Sequence, residues 1–87
     1  MELFNSLKFE TPKILKLGRQ AYAEFDNGYC VSVICTPISY GGKAGLYEVA
    51  VIRDGEFVDM PDWDDNVKGW LTEQDVDEIL TQVKSLS

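Results

Sequence analysis

Eighty-seven residues with 45% hydrophobic and 26% charged side chains describe one folded domain, not a disordered tail, although a chain this short buries only ~60–65% of its unfolded surface. No apolar run approaches the ~18–20 residues that span a bilayer, and the lack of histidine removes the commonest general base at neutral pH and the commonest metal ligand. The net charge of −7 is local: acids and bases nearly balance from Met1 to Arg53, whereas ten acids stand against Lys68 and Lys84 from Asp54 onward, a field that repels nucleic acid and attracts basic partners.

The opening Met-Glu-Leu-Phe-Asn has neither the basic nor the apolar segment of a signal peptide, so the expected location is the cytoplasm. Glu2–Lys8 fits either a strand or one helical turn, and Lys13–Leu17 fits an additional strand. Asp26-Asn27-Gly28 then separates a strand over Arg19–Phe25 from one over Tyr29–Thr36, because Asn-Gly supplies the positive φ of tight hairpin turns. The second of these strands carries Cys30 and Cys35, five residues and roughly 16 Å apart and on opposite faces, too far for a disulfide with each other. Both read as structural thiols. Pro37–Gly45 is a Gly-rich connection. A second hairpin follows, Leu46–Ile52 and Glu56–Asp59 around Asp54-Gly55, its strands again rich in Val, Ile, Tyr and Phe. The last element is an amphipathic helix over Glu73–Leu86. Thr72 and Asp75 form a capping pattern, and Val76, Ile79, Leu80, Val83 and Leu86 make one apolar stripe. The expected fold is α+β: an antiparallel meander of three to five strands, residues 1–87 forming one domain, with the C-terminal helix packed on the sheet.

Three segments invite chemical readings. Gly41-Gly42-Lys43 suggests a phosphate loop, but Ala44 stands where Ser or Thr is needed and a strand follows instead of a helix. A flexible link between hairpins is the plainer reading. Asp62, Asp64, Asn66 and Glu73 occupy the first, third, fifth and twelfth positions of a calcium loop, ahead of a helix. Against this, Val67 stands where the loop requires glycine, and Asp59-Met-Pro-Asp62 is no entering helix, so a solvated acidic turn leading into the capped helix is the plainer reading of this stretch. The same stretch also reads as a protein-binding surface. Asp62, Asp64 and Asp65 must reach water and draw Trp63 outward with them, while Trp70 with Leu71 is expected in the core; an exposed Trp among charges is a typical hot spot. On the helix, Asp75 and Glu78, with Gln82, extend that polar side. Enzyme readings have little to stand on, since without histidine neither cysteine has its usual activating partner and no pair of acids is visibly enclosed in a cleft.

Tyr40-Gly-Gly-Lys-Ala-Gly-Leu-Tyr-Glu-Val-Ala-Val51, Val67-Lys-Gly-Trp-Leu-Thr-Glu73 and the terminal amphipathic helix together resemble small proteins encoded by tailed bacteriophages and prophages of enteric bacteria. The resemblance runs from about Arg19 to Leu86. It implies a small accessory protein made in a bacterial host's cytoplasm and brings no catalytic residues with it. Small acidic phage proteins often act by binding a host protein, some by presenting carboxylates where DNA phosphates would lie.

The resulting expectation is a non-enzymatic phage-type accessory protein without cofactor. It binds a host or phage protein, such as a basic nucleic-acid-binding protein, through Asp62, Trp63, Asp64 and Asp65, with Asp75 and Glu78 behind them. Neither nucleic acid nor membrane is a direct partner. The alternatives are a calcium-stabilised module using Asp62, Asp64, Asn66 and Glu73, and a homodimer joined through an exposed sheet edge.

Overall fold

The computed structural model describes residues 1–86. One antiparallel sheet of five strands carries the fold, and a C-terminal helix packs on it, so the α+β class is as the sequence indicated. The elements are a single helical turn α1 (Glu2–Asn5), β1 (Arg19–Glu24), β2 (Tyr29–Cys35), β3 (Tyr47–Arg53), β4 (Glu56–Phe57), β5 (Val67–Leu71) and α2 (Glu73–Lys84). β1, β2 and β3 lie side by side in chain order. β3's far edge is shared end to end: β4 pairs with its last residues, Ile52 and Arg53, and β5 with the stretch from Tyr47 to Ala50. The sheet thus departs from a simple meander at β5, which passes β4 and returns to β3.

The two hairpins turn differently. Asp54 and Gly55 both have positive φ, 54° and 79°, as a two-residue turn demands. In the first hairpin only Gly28 is left-handed (φ 89°), and Phe25 N–H donates to the Tyr29 carbonyl, which gives a three-residue loop with a bulge. Asn27 is thereby freed for a longer reach. Its Nδ2 donates to the carbonyls of Val83 (2.9 Å), Leu86 (2.8 Å) and, more weakly, Lys84 (3.3 Å), while its Oδ1 accepts from Tyr29 N–H (3.1 Å). One turn residue therefore caps the C-terminus of α2, where carbonyls lack intrahelical donors.

At the other end of α2 the expected cap is formed reciprocally. Thr72 Oγ1 accepts from Asp75 N–H (3.1 Å) and Asp75 Oδ2 accepts from Thr72 N–H (3.0 Å). Val76, Ile79, Leu80 and Val83 are buried against Val31, Val33, Val49 and Val51, the inward-facing residues of the two central strands. Each such side chain contributes roughly 2 kcal/mol of gross burial. α1 docks by donating Phe4 N–H to Asp77 Oδ1 (2.8 Å), and Phe4 meets Tyr47 edge-on at 5.5 Å. The Arg19 guanidinium lies 5.3 Å from the Tyr47 ring centroid and 5.7 Å from that of Phe9.

Two segments depart from expectation. Lys13–Leu17 is a turn, not a strand: Lys16 N–H donates to the Pro12 carbonyl, Lys16 has φ 60°, and Ile14 is 98% exposed. Only Glu10 pairs with the sheet there, through two 2.8 Å bonds with Gln20. The second is Val67–Leu71, expected as part of an acidic turn, which is β5. Glycine at its centre and a register shift opposite Tyr47–Val49 obscure its alternation.

Candidate protein-binding groove

β5, α2 and the turn before β5 enclose a groove of about 510 Å³. Its apolar lining comes from Pro61, Trp63, Trp70, Leu71 and Ile79, its charge from Asp62, Asp75, Glu78 and Lys68, with Gln82 at the helix end. The helix supplies Asp75, Glu78, Ile79 and Gln82 at i, i+3, i+4 and i+7, a stripe running beside the one that faces the sheet. Three carboxylates against one ammonium leave the groove acidic, and two indoles give it aromatic walls.

Four of the six expected binding residues, Asp62, Trp63, Asp75 and Glu78, therefore come together, although twelve to sixteen positions separate those of the turn from those of the helix in sequence. Asp64 and Asp65 do not join them. Both are exposed outside the lining, and Asp65 Oδ1 accepts from Asn66 N–H at 2.7 Å. Asp75 has one carboxylate oxygen committed to the helix cap, which fixes its position in the groove wall.

The two tryptophans exchange their expected places. Trp63 is half-buried and packs against the core, whereas Trp70 is 65% exposed. The register shift in β5 explains this: Leu71, 5% exposed, lies opposite Tyr47 and Lys68 opposite Val49, so β5 carries one residue more than β3 between these pairs, and Trp70, left-handed within that bulge, turns out to the groove. Expecting Trp70 and Leu71 in the core together overlooked that bulge. Trp70 also has φ +58° and Asp62 φ +70°, left-handed conformations that cost a bulky residue on the order of 1–3 kcal/mol. Trp70 is held there by its N–H, which donates to the Tyr40 carbonyl (3.2 Å), and by the close approach of Gly41 to its backbone. Lys68 and Trp70 were missed as groove residues. The unpaired aromatic in a charged segment was visible; which tryptophan would be exposed was not.

The calcium register meets a different geometry. Val67 pairs with Ala50 in the sheet, so the segment leaves its turn before a loop of that length closes. Among the described residues, no three His, Cys, Asp or Glu side chains group as ion ligands would. The Gly-rich connection winds into one 3₁₀ turn, Gly42–Ala44, between two left-handed glycines. Cys35 is buried, and Cys30 is a free thiol whose pKa burial, then Glu24, pushes up, so it is protonated at neutral pH. Among the described residues, no helix is long and apolar enough to cross a membrane. Compared with protein-family models, curated proteins and solved structures, the chain matches none of them.

Proposed function

We propose that this chain is a non-enzymatic binding module that takes a basic segment of a protein partner into the groove between β5 and α2. The observation that carries the proposal is Trp70: a large aromatic left 65% exposed, in a strained backbone conformation, beside Asp62, Asp75 and Glu78. Strain of this kind concentrates where function maintains it. A Lys or Arg side chain entering the groove meets carboxylates for its charge and indole faces for its stem. The acidic field of the C-terminal third steers such a partner inward and turns nucleic acid away. A basic nucleic-acid-handling protein, with a surface made to accept rows of negative charge, is the partner class that fits best, and a phage or prophage accessory role in a bacterial cytoplasm is the setting. The protonated Cys30 thiol, the buried Cys35 and the lack of histidine favour binding over nucleophilic catalysis.

The test is capture of proteins from bacterial lysate on the tagged chain at low and moderate salt, beside Trp70→Ala and Glu78→Lys, with helix content checked by circular dichroism. Wild type is expected to retain a basic protein that salt releases, and both folded variants to lose it. Equal capture by wild type and variants would remove the groove from consideration.

A further inference from the structure

Lys13–Arg19 reads Lys-Ile-Leu-Lys-Leu-Gly-Arg: three bases, three large aliphatic side chains and no acid, in a chain of net charge −7. The stretch is a closed turn. Lys16 N–H donates to the Pro12 carbonyl at 2.8 Å, Lys16 takes φ 60°, and Pro12 is buried. Its base is pinned to the β1–β2 side of the sheet, where a Cβ on Gly18 would collide with the Cys35 carbonyl oxygen. Outward it presents Ile14, 98% exposed and the most exposed large hydrophobic side chain among the described residues, with the exposed Leu17, Lys13 and Lys16. Arg19 and Lys43 line a shallow depression beside Leu17, and no acid joins them in that lining. The turn is thus an aliphatic tip ringed by bases.

We propose that this turn of one copy of the chain occupies the groove between β5 and α2 of another. The inference rests on reading the groove as a site for a basic segment, and complementarity selects the occupant. The groove sets Asp62, Asp75 and Glu78 against the single base Lys68, and offers Trp63, Trp70 and Ile79 as apolar walls. The turn brings lysines for the carboxylates and Ile14 and Leu17 for the indoles, while the lysine stems lie along the same aromatic faces. Closed by its own hydrogen bond, the turn enters already shaped, which lowers the ordering cost of docking. The chain's own groove is out of its reach. β2 and β3 stand between β1 and β5, three strand spacings or ~14 Å, and no residue lines both the groove and the depression beside the turn. Each copy therefore gives a turn and receives one, a heterologous contact that repeats into a ring or an open chain.

Net charge opposes this contact and local charge favours it. At physiological salt the Debye length is ~8 Å, so two chains each at least 26 Å across hold most of their like charges several such lengths apart, whereas lysines and carboxylates meet within the contact itself. One turn in one groove buries less than the ~1,200 Å² of a standard stable interface, which corresponds to weak association with Kd of roughly 0.05–1 mM. A tighter basic partner displaces the turn, so self-association and partner capture exclude each other at any one groove.

Sedimentation equilibrium of the full chain from about 20 µM to 1 mM, in about 0.15 M salt, tests this. The mean mass of the unmutated chain is expected to climb above 9.8 kDa as concentration rises. The turn variant Lys13→Glu/Ile14→Glu and the groove variant Glu78→Lys change only exposed positions, and circular dichroism checks their folding. Each alone is expected to raise the dissociation constant at least tenfold. Mixed in equal amounts they are expected to regain association, because one keeps a working groove and the other a working turn, a rescue that only a contact between two different patches produces. A peptide of residues 11–20 is expected to lower the mean mass of the unmutated chain and to change tryptophan fluorescence in the turn variant but not in Glu78→Lys. A monomer throughout the range overturns the proposal, as does association that persists in either folded variant or a mixture that stays monomeric. A monomeric chain that still captures a basic protein through Glu78 removes the turn as occupant and leaves the groove reading intact.

Discussion

Asn27 is the most exacting test of how this fold is tied together. Its Nδ2 supplies two well-formed hydrogen bonds, to Val83 and Leu86 at 2.9 and 2.8 Å, and a third, longer one to Lys84, while Oδ1 holds the turn through Tyr29 N–H. Taking about 1 kcal/mol net for each good bond, and some further cost for part-buried carbonyls left without a donor, Asn27→Ala is expected to cost about 2–3 kcal/mol. For a domain of this size that lowers Tm by about 10–20 °C. Asn27→Asp separates the contributions. It keeps the acceptor for Tyr29 but removes both donor hydrogens and puts a negative charge at the negative end of the α2 dipole. It is expected to destabilise at least as much as alanine at pH 7 and to recover partly at pH values below the usual carboxylate range. Urea unfolding followed by far-UV circular dichroism measures both. An alanine variant within about 0.5 kcal/mol of wild type would mean that these carbonyls are satisfied by water and that the cap adds nothing.

Further expectations follow from the rest of the structure. Burial pushes the Tyr47 phenol up in the folded state, with the nearby Arg19 opposing and Glu73 adding to the rise. The unfolded chain therefore loses that proton first, and stability should fall as pH rises above the ordinary tyrosine value of about 10. Tyr47→Phe should flatten that decline in alkaline melting curves; an unchanged slope would assign the loss elsewhere. Thr72→Ala removes one half of the reciprocal cap and is expected to cost about 1 kcal/mol in denaturant unfolding, against no change if the cap is redundant. Trp70→Gly relieves the left-handed strain and is expected to hold or raise Tm while losing partner capture; a clear fall in Tm would make Trp70 a structural residue instead. Calcium in millimolar excess is expected to leave Tm unchanged, and a rise of several degrees would revive the 62–73 loop as a cation site.

What was legible in the sequence is what depends on near neighbours along the chain. The α2 stripe, the Thr72–Asp75 cap and the two hairpins all rest on spacings of one to four residues, and each formed where those spacings placed it. So did the separation of Cys30 and Cys35 onto opposite faces of one strand. Tertiary structure decided whatever depends on partners remote in sequence. β5 exists because β3 offers half of an edge that β4 leaves open, and its own five residues, with a glycine in the middle, carry too weak an alternation to announce it. Asn27 caps a helix 56 residues away, while its local pattern speaks only of a turn. The groove is of the same kind: acids from a turn and a helix meet across β5, and the choice between Trp63 and Trp70 for the exposed position follows from the bulge that β5 makes opposite β3. Burial of a residue on a short strand is set by the surface it packs against, and local sequence does not contain that surface.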